Sequence, residues 1–197
     1  MDIFTKYYND NFWGDNESIS GPGSTIERTE NIRKAIPEII KKYDIHLILD
    51  APCGDFNWFK LTKRNIPYIG GDIVKELIEK NQVRYEDEIT TFVELDITQD
   101  KLPDADLMII RDCWPHFSDA DIKKSIKNFM DSNIKYLLTT NCGISDNKDI
   151  ETGRFRFLNL FVEPFSFGYP LQVINEWNWD TFPPKTLMLF NREAIKL

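Results

Sequence analysis

The chain has 197 residues, 42% apolar and 28% charged, a balance that fits a globular protein and excludes a wholly disordered or fibrous one. That length suits one domain, 1–197, with a sizeable core. Lysine plus arginine number 24 and aspartate plus glutamate 32; the net charge of −8 repels phosphate backbones and argues against nucleic acid as a partner.

Residues 1–24 are aromatic, Gly-rich and polar, with no sustained period. They lack the apolar core of a signal peptide. They read as an ordered arm, because Phe12 and Trp13 are costly to leave in water. Ser24 and Glu27 have capping-box spacing and predict a helix from there, with Ile32, Ile36, Ile39, Ile40 and Tyr43 at helical intervals. Pro37 is expected to kink it or to start a second segment.

The chain then alternates. IHLILD (45–50) predicts a buried parallel strand, with His46 as a structural histidine inside it. A short helix is expected around 56–63, a strand at 67–72 and a helix at 74–83. Strands follow at 90–96 and 105–112. Ser118 and Asp121 cap a helix carrying Ile122, Ile126, Phe129 and Met130, and a fifth strand spans 134–141. Two last strands, 171–177 and 186–193, have only a short polar loop between them and predict an antiparallel pair. The expected fold is α/β: a doubly wound, mostly parallel seven-stranded sheet with a C-terminal antiparallel hairpin. No apolar run approaches the roughly 20 residues that cross a bilayer, so no membrane partner is expected.

The first motif is DAPCGD, Asp50 to Asp55, directly after the first strand. In open α/β sheets ligands sit at the carboxyl ends of strands, beside the switch point. A dinucleotide there wants G-x-G-x-x-G. This loop has one glycine, Gly54, between two acids that would repel a pyrophosphate. They suit a ligand with a cationic amine and a sulfonium, such as S-adenosylmethionine (SAM). A plain strand–helix turn is the alternative. Asp72 closes the second strand 22 positions after Asp50, where an acid typically holds a ribose; a helix N-cap is its other reading. Asp96 closes the third strand beside Ile97, a pair suited to an adenine amino group and ring.

LDAPCGDFNW, YIGGDIVKELIEKN, FVELDIT and DADLMIIRDCWPHF, in this order, resemble the class I SAM-dependent methyltransferases, whose fold is Rossmann-like. The arm NFWGDNESISGPGSTIERT and RDCWPHFS resemble a small bacterial subgroup associated with surface glycans of the capsule type. The similarity runs from about Phe12 to the last strand. One departure is Phe56, where the commonest first motif has a second glycine. The resemblance implies that Asp50, Cys53, Gly54 and Asp55 surround the amino acid part of SAM. It implies that Asp72 holds the ribose, with Ile73 a further cofactor contact, that Asp96 and Ile97 hold the adenine, and that Arg111 and Asp112 line the floor by the methyl group. Trp13, Ser20, Gly21, Gly23 and Ser24 of the arm are expected to fold over the cofactor as a lid and exclude water.

His116 follows the fourth strand, at the mouth of the expected cleft. Its unperturbed pKa near 6.5 suits a general base, and a packing or capping role is the alternative. Asp112 is the rival base. Arg154 and Arg156 lie between aromatics beyond the fifth strand and are candidates to hold an acceptor carboxylate or phosphate, or else form surface salt bridges. Asn141 is a further candidate acceptor contact. Cys53, Cys113 and Cys142 are odd in number and widely spaced, so neither a disulfide framework nor a zinc site is expected, and the cytoplasm is the default. Asp112 and Asn141 alone offer too few ligands for a hard metal.

The reading is a SAM-dependent methyltransferase yielding S-adenosylhomocysteine (SAH). The expected reaction is O-methylation of a small polar acceptor, such as a sugar, a sugar nucleotide or a phosphate-bearing glycan substituent. N-methylation of a small amine and a non-catalytic SAM-binding module are the alternatives. The missing glycines disfavour a nicotinamide enzyme.

Overall fold

The computed structural model describes residues 2–176 and 184–195. Seven strands form one sheet: β1 (Ile48–Asp50), β2 (Tyr68–Asp72), β3 (Thr90–Glu94), β4 (Leu107–Ile110), β5 (Tyr136–Cys142), β6 (Gln172–Asn175) and β7 (Lys185–Asn191). Their order is β3-β2-β1-β4-β5-β7-β6. The first five run parallel, and β7 lies antiparallel to both β5 and β6. This is the expected mixed sheet with a terminal hairpin. Chain order reverses between β1 and β4, which creates the switch point where such sheets bind ligands.

Period-2 alternation splits the buried strands between two cores. Leu49, Met108, Ile110, Leu137 and Phe190 face Ile122, Ile126 and Phe129 of helix α4 (Asp119–Asp131) and Trp114. Ile48, Leu107, Ile109, Leu138 and Leu189 face Ile32, Ile36 and Ile39 of helix α2 (Glu30–Lys42). Both faces are covered, so the strand sequences are continuously apolar. Helix α3 (Lys75–Tyr85) buries Leu77, Ile78 and Asn81 beside β2 and β3.

Several expectations need correction. The arm contains a helix, α1 (Ile3–Asn9), capped by the Asp2 side chain, which accepts from Phe4 and Thr5 N–H. The capping box at Ser24 does not form. Pro22–Ser24 is a 3-10 turn, and the helix begins only at Glu30, running unbroken through Pro37. The segment 56–63 holds one 3-10 turn, Phe59–Leu61, because Phe56 takes φ 58° and interrupts any helix entering from the loop. β1 starts at Ile48: His46 and Leu47 donate their N–H groups to the Asp106 carboxylate instead of a neighbouring strand. His46 is therefore a surface residue, its ring 3.3 Å from Asp44. Phe12 is also largely exposed, stacked on Tyr7 with centroids 4.1 Å apart. Trp177, expected in the sixth strand, lies outside the described residues.

Candidate active site

A cavity of about 810 Å³ opens at the carboxyl ends of β1, β2 and β4. Of the residues singled out in the sequence, its wall contains Trp13, Ser24, Asp50, Cys53, Gly54, Asp72, Ile73, Asp96, Ile97, Arg111, Asp112 and His116. The arm roofs it: Phe4, Tyr8, Phe12, Trp13 and residues 19–24 all contribute.

The loop after β1 is shaped by Gly54, at φ 55°, where a Cβ would stand 2.3 Å from Ser20 Oγ. Gly54 N–H donates to Asp72 at 3.1 Å, and its carbonyl accepts from Asn81 at 2.7 Å. Phe56 keeps the left-handed backbone and turns its ring into a cluster with Phe59, Tyr68, Tyr85 and Phe92. The backbone turn is thus retained at the position of the departure, at the strain cost that a bulky residue carries there.

Three acids end neighbouring strands or the turns beyond them. Asp50 is buried and accepts from the Tyr68 hydroxyl at 2.8 Å; burial pushes its pKa up to about 7. Asp72 accepts from Gly54 and from Val74 N–H at 3.0 Å, and burial raises its pKa to about 6. Its side chain thus ties the loop after β1 to the entry of α3. Asp96 accepts from Thr98 N–H and Oγ1 and from Gln99, which bends the chain at the end of β3. Each carboxylate has further lone pairs for a ligand.

At the floor, the buried Arg111 and the part-buried Asp112 form a cluster with two groups absent from the sequence reading, the buried Glu176 and the part-buried Lys185. Arg111 donates to Glu176 at 2.9 Å and to the Gly23 carbonyl at 2.7 Å, and its guanidinium lies over Trp58. Lys185 lies 2.6 Å from Asp112 and 3.1 Å from Glu176. Lys185 and Arg111 beside Asp112 hold its carboxyl well below the usual range against the opposing effect of burial. The antiparallel register sets Lys185 opposite Cys142, so an aligned hairpin would have pointed to it.

His116 sits in a 3-10 turn, Trp114–His116. Its Nδ1–H donates to the Arg154 carbonyl at 3.1 Å, and burial lowers its pKa below 6.5 while Asp112 partly offsets this. Trp13 and Phe155 flank the ring, with centroids 6.2 and 5.4 Å away. Cys53, Cys113 and Cys142 are buried in the cavity wall, and burial pushes each thiol pKa up.

Four sequence candidates stand elsewhere. The Asp55 carboxylate accepts from Ser18 Oγ, Ile19 N–H and Ser20 Oγ at 3.0–3.3 Å, so it docks the arm rather than lining the cavity. Arg156 is buried against Asp119 at 2.6 Å and the carbonyls of Lys148 and Phe117. Arg154 points into solvent beside Glu151. Asn141 accepts from Leu160 N–H at 2.7 Å, satisfying a buried loop. None of these last three lines the cavity.

No family model matches the chain, and no curated protein matches it in sequence. Solved structures do resemble it. A SAM-dependent methyltransferase from Leishmania major superposes with a TM-score of 0.68 at 20% identity, covering 96% of this chain and 86% of that one. The N-methyltransferase NodS from Bradyrhizobium japonicum, in complex with SAH, gives 0.67 at 9% identity, covering 96% and 98%. Magnesium protoporphyrin IX methyltransferase from Synechocystis, with bound SAH, gives 0.63 at 15% identity, covering 96% and 98%. Identities this low speak for architecture alone: this chain shares the Rossmann-like α/β fold of these methyltransferases.

Proposed function

We propose that the chain is a SAM-dependent methyltransferase acting on a hydroxyl of a small acceptor. The observation that carries this reading is one cavity with Asp50, Asp72 and Asp96 along its strand ends and His116 on its wall. The donor set fits the cofactor. Asp50, buried and in direct contact with no cation among the described residues, suits an ammonium; Asp72 suits a ribose diol; Asp96 with Ile97 suits adenine. When bound, SAM would supply an electrophilic methyl carbon carried on a sulfonium, a good leaving group.

The remaining chemistry belongs to the chain. The arm covers the cavity and excludes water. His116 Nε2, left as the lone-pair nitrogen by the Nδ1–H bond, takes the hydroxyl proton. Asp112, held as an anion by two cations, is a weak base and serves to fix Lys185 and Arg111. The cavity size and the negative charge support a small molecule, and neither a nucleic acid nor a membrane, as acceptor. The surface-glycan setting rests on the sequence motifs alone, and the two arginines expected to hold a phosphate there do not line the cavity.

Calorimetric titration tests the reading. SAM and SAH should bind and NADH should not, and Asp72→Ala should weaken SAM binding by roughly 1–3 kcal/mol, the loss of charged hydrogen bonds. Binding of neither SAM nor SAH overturns the SAM-dependent reading.

A further inference from the structure

Resting on the methyltransferase reading, we infer that Phe155 and Phe157 form a stacking platform beside His116. Its ligand is an acceptor that presents its hydroxyl on a flat apolar ring, a phenol in class rather than a sugar. Both rings line the cavity, yet they are 58% and 44% exposed. A single exposed phenylalanine needs no explanation, but this pair is held out by a built backbone. Gly153 N–H donates to the His116 carbonyl at 2.8 Å, and Arg156 N–H to the Pro115 carbonyl at 2.9 Å. Ser118 N–H donates to Thr152 Oγ1 at 2.9 Å.

Burial then alternates along the segment. Arg156, Leu158 and Leu160 point inward, and Phe155 and Phe157 face out. The buried Arg156, tied to Asp119 and to two carbonyls, therefore anchors the rings on either side of it. Phe155 lies 5.4 Å from Phe157, edge-on, and 5.4 Å from the His116 ring. These spacings are those at which aromatic rings attract one another. The two planes stand at 79°, so a ring stacked on one meets the other edge to face.

The polarity of the surroundings selects the class. A sugar carries hydroxyls around its ring, and each one desolvated without a partner is a cost. His116 stands beside the platform with Trp13 next to it, and Arg154 turns away to Glu151. Asp112 and Lys185 are engaged with each other. A phenol has one hydroxyl to satisfy. Its acidity, about that of a tyrosine side chain near 10, also asks less of the base than an aliphatic alcohol does.

The test is calorimetry and saturation-transfer NMR on the SAH-loaded protein, with 1-naphthol and methyl β-glucoside as probes. 1-Naphthol should bind the wild type. The double variant Phe155→Leu, Phe157→Leu should lose at least tenfold in that affinity, while its SAH affinity stays within twofold. Phe155→Tyr should retain binding, as should Phe161→Leu, a control at an exposed ring outside the cavity. Near-UV circular dichroism checks that each variant is folded. Three results overturn the platform: no 1-naphthol binding to wild type, equal binding by the double variant, or tighter binding of the glucoside. Failure of the wild type to bind SAH instead overturns the methyltransferase reading on which the platform rests.

Discussion

The hydrogen bond from His116 Nδ1 to the Arg154 carbonyl decides which nitrogen can act. A carbonyl only accepts, so Nδ1 carries the proton and the neutral ring keeps its lone pair on Nε2. Burial favours that neutral form, with Asp112 opposing and Lys185 assisting the downward shift. His116→Ala should therefore lower kcat by about 10²–10⁴, a typical contribution of a positioned base, and leave the SAM Kd within a few-fold. The wild-type rate should rise to a plateau with an inflection below pH 6.5, and that inflection should vanish in the variant. An unchanged kcat removes His116 from the chemistry.

Asp50 and Asp72 make a second prediction at the same scale. Their pKa values, about 7 and about 6, exceed those of an unfolded chain, so the folded protein holds protons that the unfolded one has released. Their contribution to stability is thus present at low pH and is lost as pH rises through about 4 to 7. A cationic amine reverses the preference by favouring the carboxylate, so its binding expels a proton. SAM affinity should increase between pH 5.5 and 7.5, and calorimetry in buffers of different ionisation enthalpy should detect proton release. Affinity flat across that range would detach Asp50 from the amine.

Among the elements, the arm depends most on single side chains. Ser18, Ile19 and Ser20 all dock on one carboxylate, Asp55, whose own N–H donates back to Ser20 Oγ at 3.0 Å. Bonds to a charged acceptor are worth roughly 1.5–3 kcal/mol each before coupling. Asp55→Ala should open the arm locally, which faster amide exchange over 12–24 and weaker SAM binding would report, while global stability changes little. Unaltered exchange there would mean that packing of Phe4 and Tyr8 near Leu77 and Val74 holds the arm alone. The strands were legible in the sequence because sheets covered on both faces need continuous apolar runs, and the acids ending them marked the cavity. Element boundaries were less so. Asp106 drew off the N–H groups of residues 46 and 47, Asp96 bent the chain after β3, and Asp112, at φ 53°, follows the end of β4. Helix α1 has only 7 residues, too few to show a period. In the segment 152–165 the sequence shows charge between aromatics, whereas burial assigns Arg156 to anchoring and Phe155 and Phe157 to the cavity.

Across the whole molecule, the cluster of Arg111, Asp112, Glu176 and Lys185 joins parts that no single element connects. Arg111 follows β4, Glu176 follows β6, Lys185 begins β7, and the Gly23 carbonyl brings in the arm. Glu176 is fully buried and Arg111 nearly so, so neither charge has water as a substitute partner. Removing one member of such a group strands the others, a loss of typically 3–5 kcal/mol, much more than an exposed ion pair carries. Glu176→Ala leaves two cations against Asp112, and Asp50, whose carboxylate Arg111 already favours, is a buried acid able to ionise in compensation. Denaturant melts at pH 7 should therefore show Glu176→Ala less stable by about 3 kcal/mol, at the low end of that range. SAH at 100 times its Kd should restore about 2.7 kcal/mol by mass action in wild type and variant alike. The Asp50 carboxylate recruited by the stranded cations would also make the variant's stability decline less steeply between pH 5 and 7 than that of the wild type. A variant as stable as wild type, with the same pH slope, would show that the hairpin and the arm are joined to the sheet by their apolar contacts and not through this cluster.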